Sequence, residues 1–449
     1  YGDSPYQSFS AVAGNTHLID FDLLTQMGLL KESDYASVNF GDDPTSVDYE
    51  RIFYARRPIL ETAVKNFLEN QSFQADFKHF EKSNRLWLDD FAEFMAIKEH
   101  FGNQALQKWD DKKAVARDPS ALEKYRTMLA EQIQYFKVTQ YFFFKQWIEL
   151  KNYANQKGIQ IIGDMPIYVA ADSVEVWTKP ELFQLDEERN PLVVAGVPAD
   201  QFSATGQLWG NPLYAWEEHK KQGYAWWIHR IEESFKIYDV LRIDHFKGFS
   251  DYWQVDGKAE VAKDGSWQPG PGYDLFKAVK EQLGDLPIIA EDLGNIDDKA
   301  RKLLADCNYP GMKILQFGFE DVSGESLDSP HYCIPHSIVY TGTHDNDVTN
   351  GWYNSLTEQQ QQYINDYTHR REDESICQAM IRQLFATVSN TAIATMQDVL
   401  DLPASSRMNV PSTIGGNWQW RMQQSDLTQD KKDFLAKMTT LYQRANQEK

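Results

Sequence analysis

The sequence predicts an α/β fold built on a (β/α)8 barrel with large helical and loop insertions. Three observations carry that prediction. Six short apolar runs alternate with helical patterns between residues 159 and 400, as strands do when they cross over through helices into a right-handed parallel sheet. Four of those runs place acids at their C-terminal ends, the end that forms the active-site face of a barrel. No glycine-rich phosphate loop follows any run, since "GPG" at 270–272 lacks a third glycine and a preceding strand. The alternative, an open doubly wound sheet, would more often carry such a loop.

The first 150 residues read as helices. Trp87, Phe91 and Met95 form one apolar stripe; Phe136, Gln140, Phe143 and Trp147 form another with one polar break. Residues 20–150 are therefore taken as a mainly helical insertion within one catalytic domain spanning 1–449. The predicted strands are "IQIIGDMPI" (159–167), "VLRIDHF" (240–246), "PIIAEDLG" (287–294), "MKILQFGF" (312–319), "IVYTGTHDN" (338–346) and "TAIATMQDVL" (391–400). Leu275, Val279 and Leu283 mark a helix before the third, Asp297 to Cys307 reads as a helix after it, and residues 357–384 as a further helical region. Residues 168–220 are expected to form a loop or lid insertion between strands. Within it, "GVPADQFSATGQLWGNPLY" (196–214) is long, rich in glycine and proline, and carries Phe202, Trp209 and Tyr214. Loops of that length are usually functional.

Composition narrows the partners. With 45 basic and 66 acidic residues, the chain has a formal net charge of −21, which argues against nucleic acid or an anionic membrane surface. Cys307, Cys333 and Cys377 are few, distant and odd in number, the usage of a cytoplasmic protein without a disulfide framework. No apolar run approaches the roughly 20 residues a membrane span needs, and no signal peptide is visible.

The strand-end acids are Asp164, Asp244, Glu291 with Asp292, and Asp345. A pair of carboxyls flanking a bond, one ionised and one protonated, is what glycoside cleavage requires. Arg242 and Asp244 alternate along one run and so share a face. Arg242 is expected to hold Asp244 ionised by lowering its pKa, which suits a nucleophile. Glu291 follows "PIIA"; desolvation there is expected to raise its pKa, which suits a general acid that later acts as base. Asp345 sits between His344 and Asn346, hydrogen-bonding groups able to grip sugar hydroxyls. No second histidine lies at ligand spacing, so no metal is expected.

The blocks "YGDSPYQSFSAVAGN" (1–15), "GDMPIYVA" (163–170), "GVPADQFSATGQLWGNPLYAW" (196–216), "LRIDHFKGF" (241–249), "AEDLG" (290–294), "YTGTHDND" (340–347) and "GNWQW" (416–420) together resemble the 4-α-glucanotransferases called amylomaltases or disproportionating enzymes. They occur in family order along the whole chain. The resemblance implies retaining transfer of α-1,4-glucan segments between maltooligosaccharides, with glucose or maltooligosaccharide acceptors. By the same resemblance, Asp244 is the nucleophile, Glu291 the acid and base, and Asp345 the transition-state stabiliser. Tyr6, Asp164, Gln207, Trp209, Asn211, Arg242, His245, His344 and Asn346 match substrate-binding positions. The family uses no metal, nucleotide or organic cofactor and serves cytoplasmic maltose or glycogen metabolism.

Several positions depart from the family pattern: Lys247 for Arg, Ala199 for Pro, Ala204 for a more polar lid residue, Val348 for Thr, and "GNTHLID" (14–20) for "GNPYLID". The family barrel also has two strands before the first block, so those strands are expected to lie outside this chain; without them an open wall would expose two edges. An α-glucan hydrolase on the same chemistry, or a non-catalytic glucan-binding barrel, are the competing readings. The choice between transfer and hydrolysis rests on how far the site excludes water.

Overall fold

The computed structural model describes residues 3–199, 205–294 and 296–445. Its ten strands are β1 (Ile162–Met165), β2 (Val193–Val197), β3 (Gln207–Pro212), β4 (Val240–Ile243), β5 (Asp251–Asp256), β6 (Ser266–Pro269), β7 (Ile288–Ala290), β8 (Gly311–Ile314), β9 (Ser337–Tyr340) and β10 (Thr391–Ile393). Six are parallel and correspond to the six apolar runs. They form two three-stranded sheets, β1-β4-β7 and β8-β9-β10. The Ala290 N–H donates to the Pro310 carbonyl at 3.0 Å, and this bond joins β7 to the approach of β8. The six parallel strands thus follow chain order in space: β1, β4, β7, β8, β9, β10. Between these strands lie helices such as Ala225–Ile237, Tyr273–Leu283 and Asp298–Cys307. The fold is α/β.

The strands are shorter than their apolar runs. "MKILQFGF" stays extended only to Ile314, then turns into the helix Leu315–Glu320. "TAIATMQDVL" likewise breaks at Thr395, whose side chain caps the helix Met396–Leu400. The helical region after residue 357 is two helices, Glu358–Thr368 and Ile376–Ala386, each opened by a capping box.

Ahead of β1, helices Leu88–His100 and Ala130–Gln156 carry the predicted stripes. Gln140, the polar break, is fully buried, and its amide closes both backbone bonds of Gly14 at 2.8 and 2.9 Å. That pairing ties the N-terminal segment to the helical region. One apolar cluster runs from Phe67, Phe94 and Trp109 through Met165, Leu241 and Ile243.

Part of the expected lid is sheet. β2 and β3 pair antiparallel, and β5 and β6 extend them into a four-stranded sheet ordered β3-β2-β5-β6. Phe202 and Ala204 lie outside the described residues. Among the described residues no helix is long and apolar enough to cross a membrane.

Candidate active site

β1, β4 and β7 run parallel in register, Asp164 opposite Arg242 and Ile243 opposite Ala290, so their C-terminal ends lie together. Gly163 sits on β1 where a Cβ would lie 2.0 Å from the Tyr238 ring, so the strand lies close against that side chain. Asp164 pairs with Arg242 in the β1–β4 register. On the same face, Arg242 Nη1 donates to Asp164 Oδ1 and Oδ2 at 2.6 and 2.7 Å and to Asp244 Oδ1 at 3.1 Å. Arg242 is 8% exposed, and two carboxylates share its guanidinium. Burial opposes its charge, but these carboxylates outweigh burial and hold the Arg242 pKa above its ordinary value.

Arg242 does not hold Asp244 below the usual carboxylate range. Burial, aided by the negative charges of Asp164, Glu291 and Asp345, outweighs the pull of Arg242 and pushes the Asp244 pKa up to about 7. One cation faces several acids here, and Asp164 takes its closer contacts.

His245, next in the chain, has left-handed backbone at φ 51°, a conformation uncommon for a non-glycine residue. It aims the His245 N–H at Glu291 Oε2, 2.8 Å away. Leu293 N–H binds Glu291 Oε1 at 2.8 Å. Burial raises the Glu291 pKa; Arg242 and the two amides pull the other way without cancelling it. Gly248 completes the turn, since a Cβ there would fall 2.7 Å from Ile167 and 3.0 Å from the His245 ring. The His245 imidazole meets the Trp209 ring edge-on at 4.8 Å, and burial with the Lys247 charge lowers its pKa to about 4. It is neutral near pH 7.

At the β9 end, His344 Nε2 lies 3.4 Å from Asp345 Oδ2 and 2.7 Å from the Tyr6 hydroxyl. Tyr6 O–H donates to Asp164 Oδ2 at 2.7 Å. A phenol has one proton, so His344 Nε2 is the donor to Tyr6. Burial would lower the His344 pKa, but Asp345 and Asp164 raise it. Burial likewise works to raise Asp345, yet His344 and Asn409 bring its pKa below the usual range. Tyr6 thus spans from the β1 end to the β9 end, and its pKa is driven up by burial and by Asp164 and Asp244.

The remaining predicted residues divide. Trp209 donates to Gln207 Oε1 at 3.3 Å, and both lie half-buried on β3, with Trp209 beside His245. Asn211 is buried, donating to the Val169 carbonyl at 2.9 Å and accepting from Gln7 at 3.3 Å; it ties β3 to the loop after β1. Asn346 turns back on its own loop and accepts from Thr343 N and Oγ1 at 2.8 and 2.9 Å. Asp292 faces away and caps the Met312 N–H at 2.7 Å.

Sequence reasoning missed Trp418, whose ring lies 5.3 Å from His344 and 5.9 Å from Tyr6. It also missed Arg407 and Asn409, which bond Asp345. "GNWQW" was the one signal near them. Among the described residues no group of three His, Cys, Asp or Glu is arranged to hold a metal.

Comparison with known proteins gives the family. The model described as 4-alpha-glucanotransferase, of glycoside hydrolase family 77, matches residues 1–428. A 4-alpha-glucanotransferase of Streptococcus pneumoniae is 54% identical over 448 residues, covering 100% of this chain and 88% of the relative. One from Clostridium butyricum is 42% identical, covering 99% and 91%. Among solved structures, amylomaltase from Streptococcus agalactiae in complex with acarbose is 60% identical with a TM-score of 0.98, covering 99% of this chain and 90% of that one. Amylomaltase from Corynebacterium glutamicum, at 16% identity and a TM-score of 0.75, shares the fold. This chain belongs to the 4-alpha-glucanotransferases of glycoside hydrolase family 77.

Proposed function

We propose that this chain transfers α-1,4-glucan segments between maltooligosaccharides through a covalent glycosyl-enzyme on Asp244. The observation that carries the reading is the gathering of Asp244, Glu291 and Asp345 in one mouth around Arg242. The Asp244 carboxylate attacks the anomeric carbon as the glycosidic C–O bond breaks. The electron pair leaves on the oxygen, which takes the Glu291 proton. Glu291 then removes the proton of an acceptor 4-hydroxyl, which displaces Asp244 and releases the longer glucan. Asp345, held ionised, binds hydroxyls of the distorted sugar and faces the positive charge that develops on the ring.

Tyr6, Asp164, Arg242 and His344 form the wall around the reacting ring, and Gln207, Trp209 and His245 line the approach from β3. Asn346 and Asn211, bonded to Thr343 and to Val169 and Gln7, act on the glucan by shaping the segments that carry this wall. The six parallel strands are staves of a (β/α)8 barrel, residues 20–150 are a helical insertion, and residues 168–220, which hold β2 and β3, are the covering insertion between strands. A cytoplasmic setting accords with three free cysteines. Acarbose, which the Streptococcus agalactiae relative binds, is expected to inhibit.

Feeding maltotriose tests the reading. Glucose together with a ladder of longer maltooligosaccharides is expected. Shorter sugars alone, formed at the expense of water, would identify a hydrolase instead.

A further inference from the structure

The loop that carries Asp345 is held at several points that leave its carboxyl untouched. Thr341 Oγ1 and Thr349 N–H both donate to the buried Asp398, at 2.6 and 2.8 Å. Gln316 donates to the Asp347 carbonyl at 2.9 Å. These bonds fix the loop's ends, yet a side chain between them keeps its rotamer freedom.

A second set of bonds closes on Asp345 itself, from the segment after Ser406. Asn409 Nδ2 donates to Asp345 Oδ1 at 2.6 Å, a shorter contact than His344 makes with the other oxygen at 3.4 Å. Arg407 Nη2 donates to the Asp345 carbonyl at 2.7 Å, while its Nε donates to the Asn409 carbonyl at 2.8 Å. Asn409 N–H donates to the His344 carbonyl at 3.1 Å. Three bonds therefore lock one dipeptide, His344–Asp345, to Arg407 and Asn409, and a fourth ties Arg407 to Asn409. The planar fork serves the two carbonyls from fixed positions, a geometry that the single point charge of lysine would reproduce less rigidly.

We propose that Arg407 and Asn409 are positioning residues for Asp345: the amide of Asn409 fixes one carboxylate oxygen and Arg407 fixes both backbones, so that the other oxygen faces the sugar. The inference rests on the reading of Asp345 as transition-state stabiliser. A carboxylate that must meet developing charge gains from being fixed before the reaction, because no reorganisation is then needed. Removing the clamp should slow the chemical step and spare ground-state binding.

The test is the steady-state kinetics of maltotriose disproportionation by Asn409→Ala, Asn409→Asp, Arg407→Lys and Asp345→Asn, with thermal unfolding of each. Asn409→Ala should lower kcat by about 10- to 100-fold, the loss of one hydrogen bond to a charged group, with KM within about threefold. Asn409→Asp, the same shape with a carboxylate in place of the donor, should be at least as slow. Arg407→Lys should fall between these and the parent, and carries the test should Asn409→Ala fold poorly. A raised KM at unchanged kcat would make Asn409 a sugar contact and overturn the clamp. Unchanged kinetics in the Arg407 and Asn409 variants, beside an inactive Asp345→Asn, would also overturn it. An Asp345→Asn variant as fast as the parent would instead overturn the reading of Asp345 on which the clamp rests.

Discussion

Asp244, after β4, and Asp345, after β9, face the same mouth, and they differ in what each has for a counter-charge. Asp244 shares Arg242 with Asp164 and sits among further acids. Asp345 has His344 on one oxygen and Asn409 on the other. Burial opposes charge on both, yet the first is pushed up to about 7 and the second is brought below the usual range. The contrast teaches that a nearby arginine does not by itself make an acid strong; the count of acids per cation decides. Under the proposed mechanism the two acids have different needs: Asp244 must lose its proton to attack, whereas Asp345 stays ionised as a fixed electrostatic partner.

The largest expected effect is on turnover. Asp244→Asn and Glu291→Gln should each reduce glucan transfer from maltotriose by roughly 10,000-fold or more, followed as glucose release. Residual activity within tenfold of the parent would place the reaction elsewhere.

Arg242→Ala strips the cation from two carboxylates while leaving them in place. Breaking a buried ion network this way costs about 3–5 kcal/mol, measurable by denaturant unfolding. A loss under about 1 kcal/mol would mean that water already does the work assigned to the guanidinium.

The pH dependence sharpens the contrast further. Attack needs ionised Asp244 and protonated Glu291, so kcat/KM should rise with pH as Asp244 ionises toward about 7 and fall again as Glu291 loses its proton, a bell rather than a plateau. Asp244 and Glu291 interact, so both limbs belong to the pair. A profile flat from pH 5 to 8 would contradict the raised value.

The smallest effects have opposite signs. A carboxyl whose folded pKa is raised favours folding below its unfolded pKa, and that contribution is lost as pH rises through the folded value. Asp244→Asn should therefore raise the melting temperature at pH 8, with the gain shrinking toward pH 4. Its size should correspond to about 1.4 kcal/mol for each pH unit by which folding raises the Asp244 pKa. Asp345 contributes the other way: its stabilisation is present above its unfolded pKa and is lost as pH falls through the lowered folded value. Asp345→Asn should lower the melting temperature at pH 8, by less, because that side chain is 41% exposed and screened by water. Melting-temperature changes of the same sign would break the comparison.

Much of this was legible in the sequence, for physical reasons that differ by region. The six parallel strands announce themselves because burial on both faces demands continuous apolar runs. Their acids stand out because charge at the end of such a run is otherwise costly. The antiparallel sheet from β2 to β6 gives no such signal. "QLWGNP" mixes Gly and Pro with its apolar residues, and "SWQP" is too short for alternation to show. Arg407 and Asn409 lie in an aperiodic loop and reach Asp345 only through tertiary contact. The raised pKa of Asp244 is hidden for a related reason: adjacency shows Arg242, but only the fold shows that Asp164 takes its closer bonds.

The central claim is the covalent bond on Asp244. Its most direct test is mass analysis of the Glu291→Gln variant after incubation with α-maltotriosyl fluoride. Fluoride leaves without a proton from residue 291, while release of the intermediate needs the base that this variant lacks. A trisaccharide adduct on the peptide containing Asp244 is the predicted result. No adduct, or an adduct on Asp345 or Asp164, would contradict it.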